Sequence, residues 1–172
     1  TQTNTRRAHS FLPMRRREGA KGKEAINMLD QATLDNSFRF RQIREHSVQL
    51  CAHLSAEDCN LQAIADTSPL KWHLAHTTWF FETFILREYL EDYELLNDTY
   101  PYLFNSYYIQ AGERHCRDRR GYISRPTVEQ VYDYRHYVDE HMHALMTGAD
   151  AETFEALAPL IEIGIHHEQQ HQ

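Results

Sequence analysis

Apolar residues recur at helical spacing in the first half of the chain and predict two helices there. The first helix runs from about Asp30 to Leu54, and its apolar positions are Leu34, Phe38, Ile43, Leu50 and Leu54. A connecting loop follows, from Ser55 to Ser68. Ser68 offers a capping hydroxyl and Pro69 suits the first helical position. The second helix runs from there to about Tyr93 and is rich in aromatic residues on neighbouring turns: Trp72, His76, Trp79, Phe80 and Phe84.

The second half predicts two further helices after a long irregular connection. Residues 97–125 contain Tyr100-Pro101, Gly112 and Gly121, which interrupt any regular period. Residues 127–130 form a capping box that begins a helix extending to about Met146. Asp150 caps the next segment, and Pro159 predicts the restart of a last helix with one inward face: Leu160, Gly164, His167 and His171. The sequence therefore predicts an all-α, antiparallel four-helix bundle with one long crossover loop.

Charge is distributed unevenly along the chain, and this narrows the function classes. The 172 residues carry a formal charge of −7, yet seven of the 18 basic side chains lie in the first 23 positions. We expect residues 1–29 to form a disordered basic lead-in and residues 30–172 to form the helical domain. The remaining body is strongly acidic. This acidic body disfavours a general nucleic-acid binder, because phosphate contacts need clustered positive charge, and we expect no nucleic-acid partner.

Cysteine usage and hydropathy predict the compartment. Cys51, Cys59 and Cys116 are an odd number of cysteines without a CxxC pair, which is typical of reduced thiols. No apolar run approaches the roughly 20 residues of a membrane span. We expect a cytoplasmic protein with no membrane partner, and the sequence leaves its oligomeric state open.

Histidine spacing carries the candidate chemistry. His167 and His171 lie one turn apart on the last predicted helix, so both imidazoles share a face and are able to share a metal ion. A third ligand must come from another helix. His76 is favoured because Trp72 and Phe80, four residues to either side, indicate the buried face. Imidazole suits iron, zinc, copper and nickel, so ligand type alone does not name the metal.

Other interpretations of these histidines stay open from the residues alone. His73 and His166 are alternative ligands, because a one-dimensional pattern does not show which neighbour faces the site. Residues 167–171 also match the HExxH pattern of zinc peptidases, in which Glu168 would act as general base. A non-enzymatic helical module, in which the histidines only pack or form hydrogen bonds, is the third alternative.

Two segments resemble the metal-binding helices of the sulfoxide synthases of ergothioneine biosynthesis. They are residues 68–82, SPLKWHLAHTTWFFE, and residues 166–172, HHEQQHQ. Between them, residues 104–108 (FNSYY) and 119–127 (RRGYISRPT) also fit the pattern of that family. The match runs in order from about Arg39 to the last residue, and the motifs are specific only in combination.

The resemblance implies a DinB-like four-helix bundle in which His76, His167 and His171 hold a non-haem iron(II). That family uses O2 to join the sulfur of cysteine or γ-glutamylcysteine to the imidazole of trimethylhistidine, a histidine betaine, as a sulfoxide. A related group makes the sulfoxide of ovothiol synthesis, so the substrates stay open. Arg117 and Arg120 are the expected substrate-binding residues, because guanidinium groups pair well with carboxylates.

The chain departs from that family at its end. Family members continue into a formylglycine-generating-enzyme-like domain that supplies much of the trimethylhistidine site and a catalytic tyrosine. None of that domain follows His171 here, so we expect a truncated product that is inactive alone, with catalytic residues unassigned. Tyr107, Tyr108 and Tyr122 are candidates to line the pocket. The runner-up is a stand-alone DinB-like hydrolase or thiol transferase that uses zinc or nickel.

Overall fold

A computed structural model describes the backbone of residues 17–172, and side chains chiefly from Gln31 onward. The chain divides into two units between Ala32 and Thr33, and the side-chain contacts and the site described below lie within Thr33–Gln172. Helix α1 begins at Arg17, earlier than the expected start near Asp30. Residues 1–16 of the expected disordered lead-in lie outside the described residues.

The described part of the chain is helical and contains no strand. Four long helices carry the fold: α1 (Arg17–Cys51), α3 (Leu70–Phe81), α6 (Val128–Gly148) and α7 (Ala151–His171). Three short helices lie between them: α2 (Ala56–Asn60), α4 (Arg87–Tyr89) and α5 (Tyr100–Phe104). A π-helical turn at Glu82–Leu86 joins α3 to α4. None of the helices in the described range has the length and apolar character needed to cross a bilayer.

Contacts along α7 fix the directions of the helices. His73 and Phe81 of α3 meet His171 and Gly164 of α7, so α3 and α7 run antiparallel. A two-residue link returns the chain from α6 to α7, which makes these helices antiparallel as well. Helices α3 and α6 therefore run in the same direction. This geometry explains the long crossover between them and confirms the predicted bundle with one long connection.

Helix α3 occupies the centre of the bundle. Ten of its twelve residues are buried, and it packs against α2, α5, α6 and α7. A helix enclosed in this way is apolar around most of its circumference. Side chains on α3 are therefore held rigidly, and a polar residue among them must find a partner inside the protein.

The crossover is fastened to the N-terminal end of α3. Trp72 Nε1 donates to the Leu103 carbonyl (2.9 Å), and Lys71 Nζ donates to the Ile123 carbonyl (2.8 Å). Arg120 Nη1 donates to Ser68 Oγ (2.8 Å). These bonds place residues 103–123 over the end of the bundle where the candidate ligands lie.

Several helix-boundary predictions are confirmed. Thr127 and Gln130 form the predicted capping box, and Asp150 caps α7 by accepting from the Thr153 N–H (2.9 Å). The residues from Ser55 to Ser68, predicted as a loop, instead begin with α2. Ser55 and Asp58 form a second capping box there, a sequence signal that was present and missed.

Other boundary predictions are wrong. Pro159 does not restart a helix, because α7 continues through it with the proline ring on the exposed side and buried Leu157 and Ile161 on either side. Ser68 does not cap α3, because its hydroxyl accepts from Arg120 and Pro69 occupies the cap position. Tertiary contacts override the local signal in both cases.

The inward face of α1 differs from the predicted one. Leu34, Phe38 and Leu50 are exposed, and only Ile43 of the predicted stripe is fully buried. Where the side chains of α1 are described, the buried ones are Phe40, Ile43, Arg44, Ser47 and Cys51. The polar members of this face were missed because an apolar pattern does not detect a buried arginine or serine.

Candidate metal centre

Three imidazoles from two helices converge beside the N-terminal part of α3. His76 comes from α3, and His167 and His171 come from successive turns of α7. Their ring centroids are 4.8, 4.8 and 4.7 Å apart, and the ring planes cross at 68–79°. One nitrogen of each ring lies within 4.8 Å of the other two. This arrangement allows all three rings to direct a lone pair at one cation.

Hydrogen bonding selects the His76 nitrogen that faces the cluster. Its Nδ1 lies 2.6 Å from the Phe104 carbonyl oxygen, and only an Nδ1–H donor satisfies that contact. The neutral ring then carries its lone pair on Nε2, which lies 3.1 Å from Nε2 of His167. When two metal–nitrogen bonds of about 2.1 Å meet at a right angle at one ion, the two ligand nitrogens are about 3.0 Å apart. The spacing of these two nitrogens therefore fits a shared transition-metal ion.

Aromatic rings hold His76 in place. Trp72 stacks on one side of the imidazole (centroids 4.5 Å apart) and Trp79 on the other (5.5 Å), each within 16° of parallel. Phe80 packs against His167 at 4.7 Å. His76 is only 2% exposed. The cluster is therefore dry on the bundle side, and its rings have little freedom to reorient.

The surroundings keep the imidazoles neutral at pH 7. Burial, reinforced by His167 and His171, holds the pKa of His76 well below its usual range. Burial and His171 lower the pKa of His167 to about 4. Burial also lowers the pKa of His171, although the Glu168 charge opposes this shift. Neutral imidazole is the form that binds a metal, so protons compete little with metal binding at neutral pH.

The two alternative histidines lie outside the cluster. His73 Nδ1 is 2.8 Å from His171 Nδ1, so His73 contacts the outer edge of a candidate ligand. His166 is exposed and contacts Gln169 and Glu162 on its own helix. Geometry therefore favours His76 and His167 over the alternatives.

Glu168 points away from the cluster and into the bundle. Its carboxylate accepts from Arg44 Nη1 (2.9 Å), Arg135 Nη2 (2.8 Å) and Ser47 Oγ (2.6 Å), and it is fully buried. Burial alone would raise the pKa of Glu168, but the charges of Arg44 and Arg135 outweigh it and lower the pKa to about 2. A carboxylate fixed in this way is a poor base. The geometry thus disfavours the peptidase interpretation, which needs Glu168 to face a metal-bound water.

A cavity of about 690 Å³ opens in front of the three candidate ligands. Its other lining residues come from the segment before α3, from α3, from the crossover and from α7: Asp66, Thr67, Ser68, Trp72, His73, Ser106, Tyr107, Tyr108, Arg117, Arg120 and Gln170. Tyr107 and Tyr108 lie in this wall as predicted. Tyr122 is 82% exposed and lies outside it, so that prediction is wrong. The volume is within the usual range of small-molecule sites.

Arg120 brings a buried positive charge to the cavity wall. It is 3% exposed, its guanidinium lies 3.4 Å above the Trp72 ring, and its Nη atoms donate only to the hydroxyls of Ser68 and Ser106. Within the described part of the chain it forms no ion pair, and its Nε has no acceptor. Burial and the nearby Arg117 lower the pKa of Arg120 to about 10. A buried cation without a counter-ion favours an anionic ligand in the cavity.

Arg117, the second arginine predicted to bind substrate, is exposed at the cavity mouth. Its Nη2 donates to the Tyr107 hydroxyl, and its guanidinium lies 5.1 Å from the Tyr107 ring centroid. The structure therefore brings Arg117 and Arg120 to the same cavity as the three histidines. The stacking of Arg120 on Trp72 was missed, because no local pattern links residues 48 positions apart in sequence.

Comparisons with known proteins give a family for the chain. Residues 39–172 match the DinB superfamily, whereas no curated protein matches. The matched range covers most of the sequence and contains α3, α6, α7 and the three clustered histidines. DinB-like domains are compatible with a metal-binding helical domain, which agrees with this geometry. On this match and this architecture, the chain belongs to the DinB superfamily.

Proposed function

We propose that the chain is the metal-binding domain of a non-haem iron(II), O2-dependent sulfoxide synthase. The reaction would join the sulfur of cysteine or γ-glutamylcysteine to the imidazole of trimethylhistidine in ergothioneine biosynthesis. The observation that carries the proposal is the cluster of three neutral imidazoles facing a cavity that also contains an unpaired buried arginine. The resemblance of residues 68–82 and 166–172 to that family supports the same conclusion.

His76, His167 and His171 would hold the metal through three nitrogens. Iron(II) bound there would supply open coordination positions for thiolate and oxygen chemistry. The protein contributes position and environment. Trp72, Trp79 and Phe80 shield the ligand rings from water on the bundle side, and the cavity leaves the opposite side accessible to small molecules.

The arginines would bind substrate carboxylates. Both proposed sulfur donors carry carboxylates, and so does trimethylhistidine. Arg120 is already desolvated, so a carboxylate that reaches it gains a charge-assisted bond without a further burial cost for the arginine. Arg117 at the cavity mouth is placed to guide the anion inward. The three free cysteines fit the reducing cytoplasm in which these thiol substrates persist.

Anaerobic iron(II) titration with metal analysis tests the ligand assignment. The wild-type chain should bind one iron, and His76→Ala and His171→Ala should lose tight binding, because the remaining ligands do not close the site. His141→Ala is the matched control, since His141 lies on α6 and bonds to the Tyr137 carbonyl of its own helix. Retention of iron by His76→Ala would refute the assignment. Zinc bound in preference to iron would instead favour the zinc-dependent hydrolase or transferase.

Ligand binding to the iron-loaded chain tests the carboxylate site. Replacing Arg120 by Met removes the charge and keeps much of the apolar stem, so affinity for γ-glutamylcysteine should fall about 10- to 100-fold, as expected for a lost charged hydrogen bond. Cysteamine, which lacks a carboxylate, should bind both proteins equally. Arg119→Met is the control, because Arg119 is exposed on the same turn and lies outside the cavity wall. Equal affinity of wild type and Arg120→Met for γ-glutamylcysteine would contradict the proposal.

A further inference from the structure

The outer nitrogens of the three candidate ligands have different partners. His76 Nδ1 donates to a backbone carbonyl, whereas His167 Nδ1 is buried without a hydrogen-bond partner in the described structure. His171 Nδ1 meets a side chain, Nδ1 of His73, at 2.8 Å. A metal-bound histidine usually donates its other N–H to an acceptor, which fixes the tautomer and orientation of the ring. His73 occupies that acceptor position for His171.

We propose that His73 is a positioning residue that holds His171 in the tautomer able to bind the metal. The inference rests on the proposed metal site. Only one of two nitrogens at this distance carries the proton. If His171 donates through Nδ1–H, its Nε2 keeps the lone pair for the metal, and neutral His73 carries its own proton on Nε2. If instead His73 donates through its Nδ1–H, the Nδ1 of His171 must accept, so neutral His171 carries its proton on Nε2 and has no lone pair toward the cluster.

The position of His73 supports this role. It lies on α3 one turn before His76, so the same helix supplies one ligand and the acceptor for a ligand on the facing helix. The His73 and His171 ring centroids are 5.0 Å apart, and Trp72 contacts the edge of His73 at 5.5 Å. Helices α3 and α7 pack against each other, so the contact forms between neighbouring helices. His73 itself is outside the group of three nitrogens.

Two substitutions separate a positioning role from packing and from direct ligation. His73→Phe keeps the ring and removes the acceptor, whereas His73→Asn places an amide oxygen close to the position of Nδ1. We expect iron(II) or cobalt(II) affinity to fall about 10- to 100-fold in His73→Phe and to recover most of that loss in His73→Asn. The cobalt(II) absorption spectrum of each loaded variant should keep the wild-type ligand set. His141→Phe controls for loss of a histidine elsewhere.

Histidine tautomers give a readout that does not depend on affinity. In the zinc-loaded chain labelled with ¹⁵N-histidine, NMR should show His171 protonated on Nδ1 and His73 protonated on Nε2. Unchanged affinity in His73→Phe would overturn the inference while leaving the metal site intact. An Nε2-protonated His171 would overturn the inference and would also remove His171 from the ligand set. A cobalt spectrum that loses one nitrogen ligand in His73→Phe would make His73 a ligand and also overturn it. A wild-type chain that binds no metal would instead refute the proposed function.

Discussion

Gly164 is the position where α7 packs directly on a buried ring of α3, and an added methyl group there should destabilise the protein. A Cβ built on Gly164 would lie 2.3 Å from Cε1 and 2.7 Å from Cζ of Phe81. Carbon atoms in normal contact are about 3.5–4.0 Å apart, so the ring or the helix must move by more than 1 Å. Phe81 is fully buried and packs edge-on against Phe40 at 4.9 Å, which leaves the ring little room.

Two opposing terms set the size of the effect. Overpacking a core costs about 1–3 kcal/mol, and a displacement above 1 Å places this site at the upper end of that range. Replacing glycine by alanine inside a helix recovers about 1 kcal/mol of helix propensity. Gly164→Ala should therefore lower the free energy of unfolding by about 2 kcal/mol. Because His167 follows Gly164 by three residues, the same displacement should weaken metal binding.

Urea unfolding at constant pH measures the change in stability. Gly148→Ala is the matched control, because a Cβ there has no atom within 4 Å, and its stability should stay equal or rise slightly. A double-mutant cycle with Phe81→Leu should show that the two changes are coupled, since a smaller side chain removes the clash. A Gly164→Ala chain as stable as wild type, with no coupling to Phe81→Leu, would refute the packing argument.

Two further predictions concern the buried charges and the histidines. Glu168→Gln leaves Arg135 buried without its carboxylate partner and leaves Arg44 with only Asp139, so the free energy of unfolding should fall by about 3–5 kcal/mol. Glu162→Gln, in an exposed pair, should change it by at most about 1 kcal/mol, and equal effects would contradict the argument. The metal-free chain should also lose stability as pH falls from about 6.5 to 4, because the pKa of His167 is about 4 in the fold and the unfolded chain binds the proton first. This one group contributes a loss of about 3 kcal/mol at the acid end. The pKa of Glu168 is lowered from 4.5 to about 2, so the chain should lose further stability as pH falls between those two values. Urea midpoints that stay constant from pH 7 to 4 would disprove the histidine effect.

Local sequence signals predicted those parts of the fold that depend on neighbours in the chain. The capping box of Thr127 and Gln130 and the spacing of His167 and His171 require only a few adjacent residues, and both appear in the structure as expected. The preference for His76 over His73 rested on the aromatic residues at Trp72 and Phe80. The structure places those side chains around the histidine cluster.

Features that depend on distant partners were not predictable in the same way. Ser68 has the sequence context of a helix cap, but Arg120, 52 residues later, takes its hydroxyl. Pro159 has the context of a helix start, but buried side chains on both sides hold α7 continuous. The buried face of α1 includes Arg44, whose ion partners are on α6 and α7. A single sequence contains no local signal for such pairings.

The stacking of Trp72 and Trp79 on His76 gives the protein a built-in optical reporter. These are the only two tryptophans of the sequence, and both lie against the same imidazole. Tryptophan emission from this chain therefore originates entirely beside the candidate metal centre, with no distant indole to dilute the signal. An ion that binds His76, or an anion that disturbs Arg120 above the Trp72 ring, should change the intrinsic fluorescence of the unlabelled protein.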